Sequence, residues 1–386
     1  MLILGPPGCG KTYHLTNEVI PNLEGKICIL SFTRSGAKEI GSRLKDDAEF
    51  VGTLHSFCFR ELNLLSVQVL DSYEMFLKTF QGVESQVKDA LAAYDFARQT
   101  FSKVTSDKVH NLVIQKYETF KEATGLWDFT DMLEACRGRE IGSSFDYIVI
   151  DEAQDMTPLQ WKVIFNIPHK KMIAAGDDDQ AIFEWTGASA LRDLKDMEKK
   201  VLDQSYRLPR KIFDYSREVL TRISSRREKE YKPTSEEGEV VFLSNLPHLL
   251  AMKENATILV RDNYLKADII DYLMSQNVPV KSVLKGKYYK AWFKDKEVPL
   301  KYKMYFKRVD LDADTIFEVR TIHKSKGMEW DNVCVVAQFS GKVEESLHSR
   351  RGKDAEARNW YVAVTRAKKK LFICGHNTFL PRWSFK

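Results

Sequence analysis

Short blocks of consecutive apolar residues recur along the chain, and the segments between them are polar with scattered apolar positions. Met1–Leu4, Lys26–Phe32, Phe145–Ile150, Lys171–Ala175, Ala256–Arg261, Asn332–Ala337 and Lys370–Cys374 are strand-sized and read as strands. Tyr13–Ile20 and Ala37–Leu44 read as helices that follow strands. This alternation predicts an α/β fold with parallel sheets covered by helices. The strands fall into two clusters, one before about residue 203 and one after. Two stretches break the rhythm. Residues 59–140 look helical and polar and read as an insertion into the first cluster, and residues 277–315 interrupt the second. The expected division is therefore 1–58 with 141–203, carrying 59–140, and 204–276 with 316–386, carrying 277–315. No internal repeat or low-complexity linker separates them.

The chain has 386 residues, enough for two or three domains, and 44% of them are hydrophobic, enough for large cores. No apolar run approaches a membrane span, and the first residues lack the basic and long apolar stretches of a secretory signal. Six cysteines, at 9, 28, 58, 136, 334 and 374, form no C-x-x-C pair. That spacing argues against zinc, an iron–sulfur cluster or a disulfide frame and points to a reducing cytoplasm. The net charge of +5 is mild, so its distribution matters more than its sum.

The first chemistry-bearing stretch is Gly5-Pro6-Pro7-Gly8-Cys9-Gly10-Lys11-Thr12, which fits G-x-x-x-x-G-K-S/T between an apolar strand and a helix. Gly5, Gly8 and Gly10 let backbone N–H groups crowd round a phosphate. Lys11 can reach the β- and γ-phosphates of a nucleoside triphosphate, and the Thr12 hydroxyl can ligate Mg²⁺. "FDYIVIDEAQD" ends a buried strand in Asp151-Glu152. Asp151 suits Mg²⁺, and Glu152 suits orienting and deprotonating a water. "AAGDDDQAIFEWTGA" supplies a third strand end, with Gln180 expected at the γ-phosphate. Phe183 and Trp185 in the same loop suit base stacking, or packing in a core.

These stretches belong to a longer series. "LSFTRSGAKEI", "GTLHSF", "DEAQD", "GDDDQAIFEWTGA", "LDQSYRL", "ILVRDNYLKADIIDYLMSQNVPV", "TIHKSKGMEWDNV" and "YVAVTRAKKKL" follow one another along the chain. In type and order the series resembles the motifs of superfamily 1 helicases of the UvrD/Rep/PcrA type. The resemblance implies two RecA-like P-loop domains with ATP and Mg²⁺ between them. The first would supply Lys11, Thr12, Asp151, Glu152 and Gln180, with Thr12 and Asp151 on the metal. The second would supply Arg207 and Arg366 near the γ-phosphate and Glu329 near the ribose. Tyr13 and Tyr206 are candidates to stack on the base. Single-stranded DNA would meet Phe32, Thr33, His55, Phe183, Trp185, Thr321 and His323.

The implied activity is that of an ATP-dependent DNA helicase, moving 3′–5′ on single-stranded DNA and unwinding duplex. Single-stranded DNA and single-/double-strand junctions are the expected partners, with replication or recombination proteins suggested beside them. A monomer is expected, in the cytoplasm of a bacterium or, for a phage protein, of its host. Two alternatives stay open: a translocase that strips proteins or anneals strands with weak unwinding, and a nucleotide-gated DNA-binding subunit of a larger complex.

Departures from the family pattern add expectations. Both insertions are short, and Thr186 stands where the family usually has arginine. Relatives carry a glutamine-bearing segment before the P-loop, and the four residues here hold no glutamine, so loose nucleotide selectivity is expected. Fifteen residues follow the last motif, so a nuclease domain is not expected there. Residues 281–308 hold ten lysines and arginines against two acids, +8, with seven aromatics interleaved. Lys285, Lys287 and Lys290 in this stretch are candidate phosphate contacts. The alternative is a β-hairpin with a solvated basic face and its aromatics packed inward.

Overall fold

The computed structural model describes residues 1–44, 48–69, 72–80, 82–104, 107–188, 191–294, 296–310 and 316–375. The end of the second insertion, 311–315, and the expected last stretch of the second domain, 376–386, lie outside the described residues. The chain divides into two compact units. One comprises Met1–Gly5 and Gly10–Leu202, the other Pro6–Cys9 and Asp203–Lys386.

The first unit is built on six parallel strands: β1 (Leu2–Leu4), β2 (Ile27–Ser31), β3 (Phe50–Gly52), β4 (Phe145–Asp151), β5 (His169–Gly176) and β6 (Lys199–Val201). Their order across the sheet is β3-β2-β4-β5-β1-β6. Successive residues of a strand point to opposite faces, and here they sort into two cores. Leu2, Leu4, Leu30, Ile148 and Ile150 join one cluster with Phe57, Met132 and Trp161. Ile3, Ile29 and Val149 join the other with Leu15 and Ile40. A sheet buried on both faces needs continuous apolar runs, which is why these central strands are apolar throughout.

The stretch 59–140 is helical, with helices Ser72–Thr79, Glu84–Thr100, Lys108–Thr124 and Phe129–Arg137. Phe76, Val87, Leu91, Val113 and Tyr117 give it a small core of its own. A cluster of ion pairs completes it. Buried Arg98 reaches Asp128, Asp131 and Glu134, and buried Lys121 reaches Asp128 at 3.0 Å and Asp131 at 2.7 Å. Asp128 also caps the helix Phe129–Arg137 by accepting from the Asp131 N–H.

The second unit holds five parallel strands: β7 (Glu239–Leu243), β8 (Thr257–Val260), β9 (Glu318–Thr321), β10 (Trp330–Ala337) and β11 (Ala367–Gly375), in the order β7-β11-β10-β8-β9. Residues 281–306 form three short helices, Lys281–Leu284, Lys287–Trp292 and Leu300–Phe306, rather than a hairpin. Among the described residues they share the core of the sheet. Val283, Tyr305 and Val309 join the cluster of Ile258, Val260 and Phe317, and the Tyr305 hydroxyl donates to Val278 O at 2.9 Å. Most of the aromatic rings pack on one another here, Tyr288 on Tyr302 at 4.5 Å and Tyr289 on Phe306 at 5.3 Å. Among the described residues no helix is long and apolar enough to cross a membrane.

Candidate nucleotide and nucleic-acid site

Register brings the motif-bearing loops of the first unit to one edge. Leu4 pairs with Gly176, Ile150 with Ala174 and Ser31 with Asp151, so the carboxyl ends of β1, β2, β4 and β5 are level. The P-loop, Asp151-Glu152, the Asp177–Gln180 turn and the Phe32 loop all leave the sheet there, where open α/β sheets bind ligands. The loop conformation explains its glycines. Gly8 and Gly10 sit at φ 74° and 69°, and a Cβ on Gly5 would lie 2.1 Å from Lys11 Cγ. Lys11 Nζ donates to Gly5 O at 2.8 Å, which folds the ammonium back over the loop.

Thr12 Oγ1 donates to Asp151 Oδ2 at 3.2 Å. Asp151 is buried, and its Oδ1 and the neighbouring Ser31 Oγ have no hydrogen-bond partner among the described residues. Burial first, then the adjacent Glu152, pushes the Asp151 carboxyl up to about 7, against the pull of Lys11 and Thr12. A hard dication with oxygen ligands would reverse that shift and give the orphaned oxygen a partner, so Thr12 and Asp151 fit Mg²⁺. Glu152 itself sits at φ 55°, a left-handed conformation costing about 1–3 kcal/mol that marks functional turns.

Two residues hold this turn, Gln154 and Asp177; the run Asp177–Asp179 suits solvent or a helix cap by sequence, and Asp177 is a cap but is buried. Fully buried Gln154 donates to Glu152 through Nε2, and its Oε1 accepts from Asp177 N at 3.0 Å. Asp177 in turn accepts from Gln180 Nε2 at 2.7 Å. A chain of hydrogen bonds thus runs from Glu152 through the Gln154 side chain to the Asp177 backbone, and from the Asp177 carboxylate to Gln180. Both linking residues lie inside the quoted motifs, but only the fold shows which way they face.

Beside this edge lies a row of aromatic rings. Phe32 packs on Phe183 at 5.3 Å and Phe183 on Trp185 at 6.5 Å, while Trp185 is 67% exposed. Trp185 is therefore on the surface rather than in a core. Phe32 and His55 line a groove of about 1280 Å³ together with Arg34, Lys38 and Phe129, which motif reading did not single out. His55 lies edge-on to Phe129 at 5.6 Å. Burial, then Arg34, pushes its imidazole down to about 4, so it is neutral at pH 7. Thr33 accepts from Gly36 N at 3.0 Å and so starts the helix Arg34–Arg43. Thr186 donates to Phe183 O at 2.7 Å, steadying the loop that carries the rings.

In the second unit Arg207 Nε donates to Glu329 Oε2 at 2.6 Å, so two of the predicted nucleotide residues are paired with each other. Arg366 is buried. Its guanidinium donates to Val362 O at 2.9 Å and Met328 O at 3.3 Å. Tyr206 is 77% exposed, and in the first unit Tyr13 is likewise on the surface. Thr321 is buried at the end of β9, and His323 is half-buried on the single helical turn after it. Lys285, Lys287 and Lys290 are exposed on or beside the helix Lys287–Trp292, apart from that turn in sequence. Arg261, at the end of β8, forms a bidentate pair with buried Glu356, with contacts of 2.7 and 2.6 Å. That pair accounts structurally for the arginine in "ILVRDNY".

A strand–P-loop–helix unit with a buried carboxylate level with the loop's hydroxyl defines a P-loop nucleoside triphosphatase. The AAA domain family matches residues 1–186, and the UvrD-like helicase C-terminal domain family matches residues 304–378. The chain belongs to the UvrD-like superfamily 1 helicases. It is 24% identical over 361 aligned residues to the ATP-dependent DNA helicase PcrA of Staphylococcus epidermidis, covering 75% of this chain and 49% of that protein. It is 25% identical over 303 residues to the F-box DNA helicase protein 1 of Schizosaccharomyces pombe, covering 60% of this chain and 34% of that one. The chain thus spans about half the length, or less, of the curated relatives it matches. Among solved structures it is similar to the Arterivirus nonstructural protein 10 helicase, at 14% identity and a TM-score of 0.45, covering 98% of this chain and 59% of that chain.

Proposed function

We propose that this protein is an ATP-driven motor on single-stranded DNA that moves 3′–5′ and unwinds duplex. The observation that carries the reading is the shared strand-end edge of the first unit. It sets the phosphate loop and the Glu152–Gln154–Asp177–Gln180 chain beside the Phe32–Phe183–Trp185 row. In this reading the P-loop amides and Lys11 hold the β- and γ-phosphates, and Thr12 and Asp151 hold Mg²⁺, which neutralises charge developing on the phosphates. Glu152 orients the attacking water and takes its proton, and Gln154 keeps that carboxylate aimed. Gln180 meets the γ-phosphate. The motif pattern assigns Arg207 and Arg366 to the same phosphate. Arg207 would then leave Glu329, and Arg366 would exchange a backbone carbonyl for phosphate oxygen.

Phe32 and Trp185 offer faces to bases, and Arg34 and Lys38 offer charge to the backbone. The neutral imidazole of His55 suits a hydrogen bond rather than a salt link. The deciding assay is unwinding of 3′-tailed, 5′-tailed and blunt duplexes, with ATP hydrolysis measured with and without single-stranded DNA. The reading expects DNA-stimulated hydrolysis and unwinding from the 3′ tail only. Unwinding from the 5′ tail would reverse the polarity, and hydrolysis indifferent to DNA would overturn the motor itself.

A further inference from the structure

A second aromatic and basic feature lies outside the motifs. The helices Lys287–Trp292 and Leu300–Phe306 flank a pocket of about 440 Å³ lined by Trp292, Phe293, Lys296 and Lys303. Its rings are held by their neighbours: Trp292 packs on Phe306 at 6.1 Å, and Phe293 lies edge-on to Tyr289 at 4.8 Å. Phe293 is nevertheless 66% exposed, an apolar surface that water solvates poorly. The lysines divide into two groups. Lys281 is paired with Glu318 and Lys301 with Asp271, at 3.1 and 3.0 Å. Lys296 and Lys303 have no ion-pair partner among the described residues, and neither has exposed Glu297. Lys303 is half-buried as well. Ammonium groups without an ion-pair partner, set beside an exposed ring, are matched by an anion that brings its own apolar face.

An acidic peptide would satisfy the ammonium groups but leave the rings bare. A nucleotide satisfies both, because every base has a π-face and each carries a phosphate. The volume lies within the range of small-ligand pockets, roughly 300–1,000 Å³. We propose that Trp292, Phe293, Lys296 and Lys303 bind one unpaired nucleotide of a nucleic acid strand, the rings taking its base and the ammonium groups its phosphate. This rests on the DNA-motor reading and adds to it a strand contact in the second unit, independent of the ring row in the first.

The test is fluorescence anisotropy on the full chain. The probes are labelled oligothymidylate and a strand of equal length made of abasic sites. Phe293→Ala should weaken oligothymidylate binding about 5- to 100-fold, the range for one stacked base, and leave the abasic strand unchanged. Lys296→Ala with Lys303→Ala should flatten the log–log salt dependence for both strands by about 0.7 to 1.4, one or two single-strand phosphate contacts. All of these side chains are at least partly exposed, so unaltered circular dichroism and basal ATPase are expected. Wild-type affinity and slope in both variants would overturn the proposal. So would loss restricted to the lysine variant together with binding of polyglutamate, which would mark an acidic-peptide site. Thymidine monophosphate supplies the remaining arm. If it binds in a Phe293-dependent way while oligothymidylate affinity ignores Phe293, the ligand is a free nucleotide and the strand assignment fails. A wild-type protein that binds no oligonucleotide sinks this proposal and the motor reading together. DNA-stimulated ATPase that is lost in Trp185→Ala, beside a Phe293→Ala protein of wild-type affinity, removes only the pocket.

Discussion

Replacing Arg98 by methionine should unfold the first unit's helical insertion early and in a pH-dependent way. The Arg98 side chain is 7% exposed and donates to Glu134 at 3.0 and 2.8 Å, to Asp128 at 2.9 Å and to Asp131. Removing one partner of a buried ion pair costs about 3–5 kcal/mol. The lower end applies here. Glu134 is 35% exposed and can rehydrate, whereas Asp128 and Asp131 keep Lys121 at 3.0 and 2.7 Å. About 3 kcal/mol corresponds to a fall of roughly 6–12 °C in Tm for a unit of this size. The sign of the pH effect follows from Asp128. Burial pulls its carboxyl up, but Arg98 and Lys121 outweigh burial and hold it below the ordinary value. A depressed folded pKa stabilises above the unfolded value, about 3.9, and that stability is lost as pH falls through the folded pKa. Without Arg98, burial acts against Lys121 and the Asp131 N–H only among the groups that hold the charge down, and protonation relieves the underpaired charge at higher pH. The gap between variant and wild type should therefore be widest near pH 7 and narrow as pH falls toward about 4.5. Urea unfolding followed by circular dichroism across that range measures it. A loss under about 1 kcal/mol at pH 7, or one that does not narrow in acid, would refute the account.

Further outcomes follow from the same geometry. Lys11→Ala should abolish ATP turnover without unfolding, since it removes a cation from phosphates whose charge rises in the transition state; near-normal turnover in a folded variant would sink the P-loop assignment. Trp185→Ala should cost about 1–3 kcal/mol in single-stranded DNA affinity with basal ATPase kept and Tm unchanged; a Tm fall of several degrees with DNA binding intact would place Trp185 in a core after all. Gln154→Leu strands the buried Asp177 N–H, at about 1–3 kcal/mol, and frees Glu152, so kcat should fall more than KM rises. The reverse pattern in steady-state kinetics would show that Gln154 serves nucleotide binding instead. Neutralising Lys285, Lys287 and Lys290 should flatten the salt dependence of DNA binding, and an unchanged slope would leave them as solvated surface.

How much of this was legible in the sequence depends on where each strand sits. β1, β2, β4, β5, β8, β10 and β11 lie inside their sheets, are buried on both faces, and announce themselves as apolar runs. The four strands that pattern reading passed over, β3, β6, β7 and β9, are the four sheet edges. β6 reads Lys-Lys-Val and is exposed throughout, so nothing in its hydropathy marks it. The phosphate-loop and acidic strand-end motifs were legible as patterns because phosphate chemistry fixes both type and spacing. Gln154 and Asp177 were not, because the bond that makes them matter joins loops 23 positions apart. Residues 281–306 misled for a related reason. Aromatics alternating with lysines suit a hairpin, but Pro299 starts a helix and Tyr305 anchors it to Val278 and Val280, so local pattern yielded to tertiary packing.

The short span between Gln180 and Trp185 bears on how nucleotide chemistry could move a strand. Gln180 N donates to Asp177 O at 3.0 Å, Ile182 N to Gln180 O at 3.0 Å, and Thr186 N to Phe183 O at 2.9 Å. These bonds leave little slack over five residues. Gly187, at φ 98°, closes the turn in a conformation that favours glycine. At its other end the loop is tied through Asp177 and Gln154 to Glu152. In the proposed reading, loss of the γ-phosphate releases Gln180. A change there need cross only two tight turns to reach the Phe183 and Trp185 rings. Phe183 also packs on Phe32, which ties the start of the ring row to the loop after β2. A stiff, hydrogen-bonded lever of this length transmits a displacement that a flexible loop would absorb. In that reading, this is a physical reason for a glutamine at the γ-phosphate and a base-stacking tryptophan to share one loop.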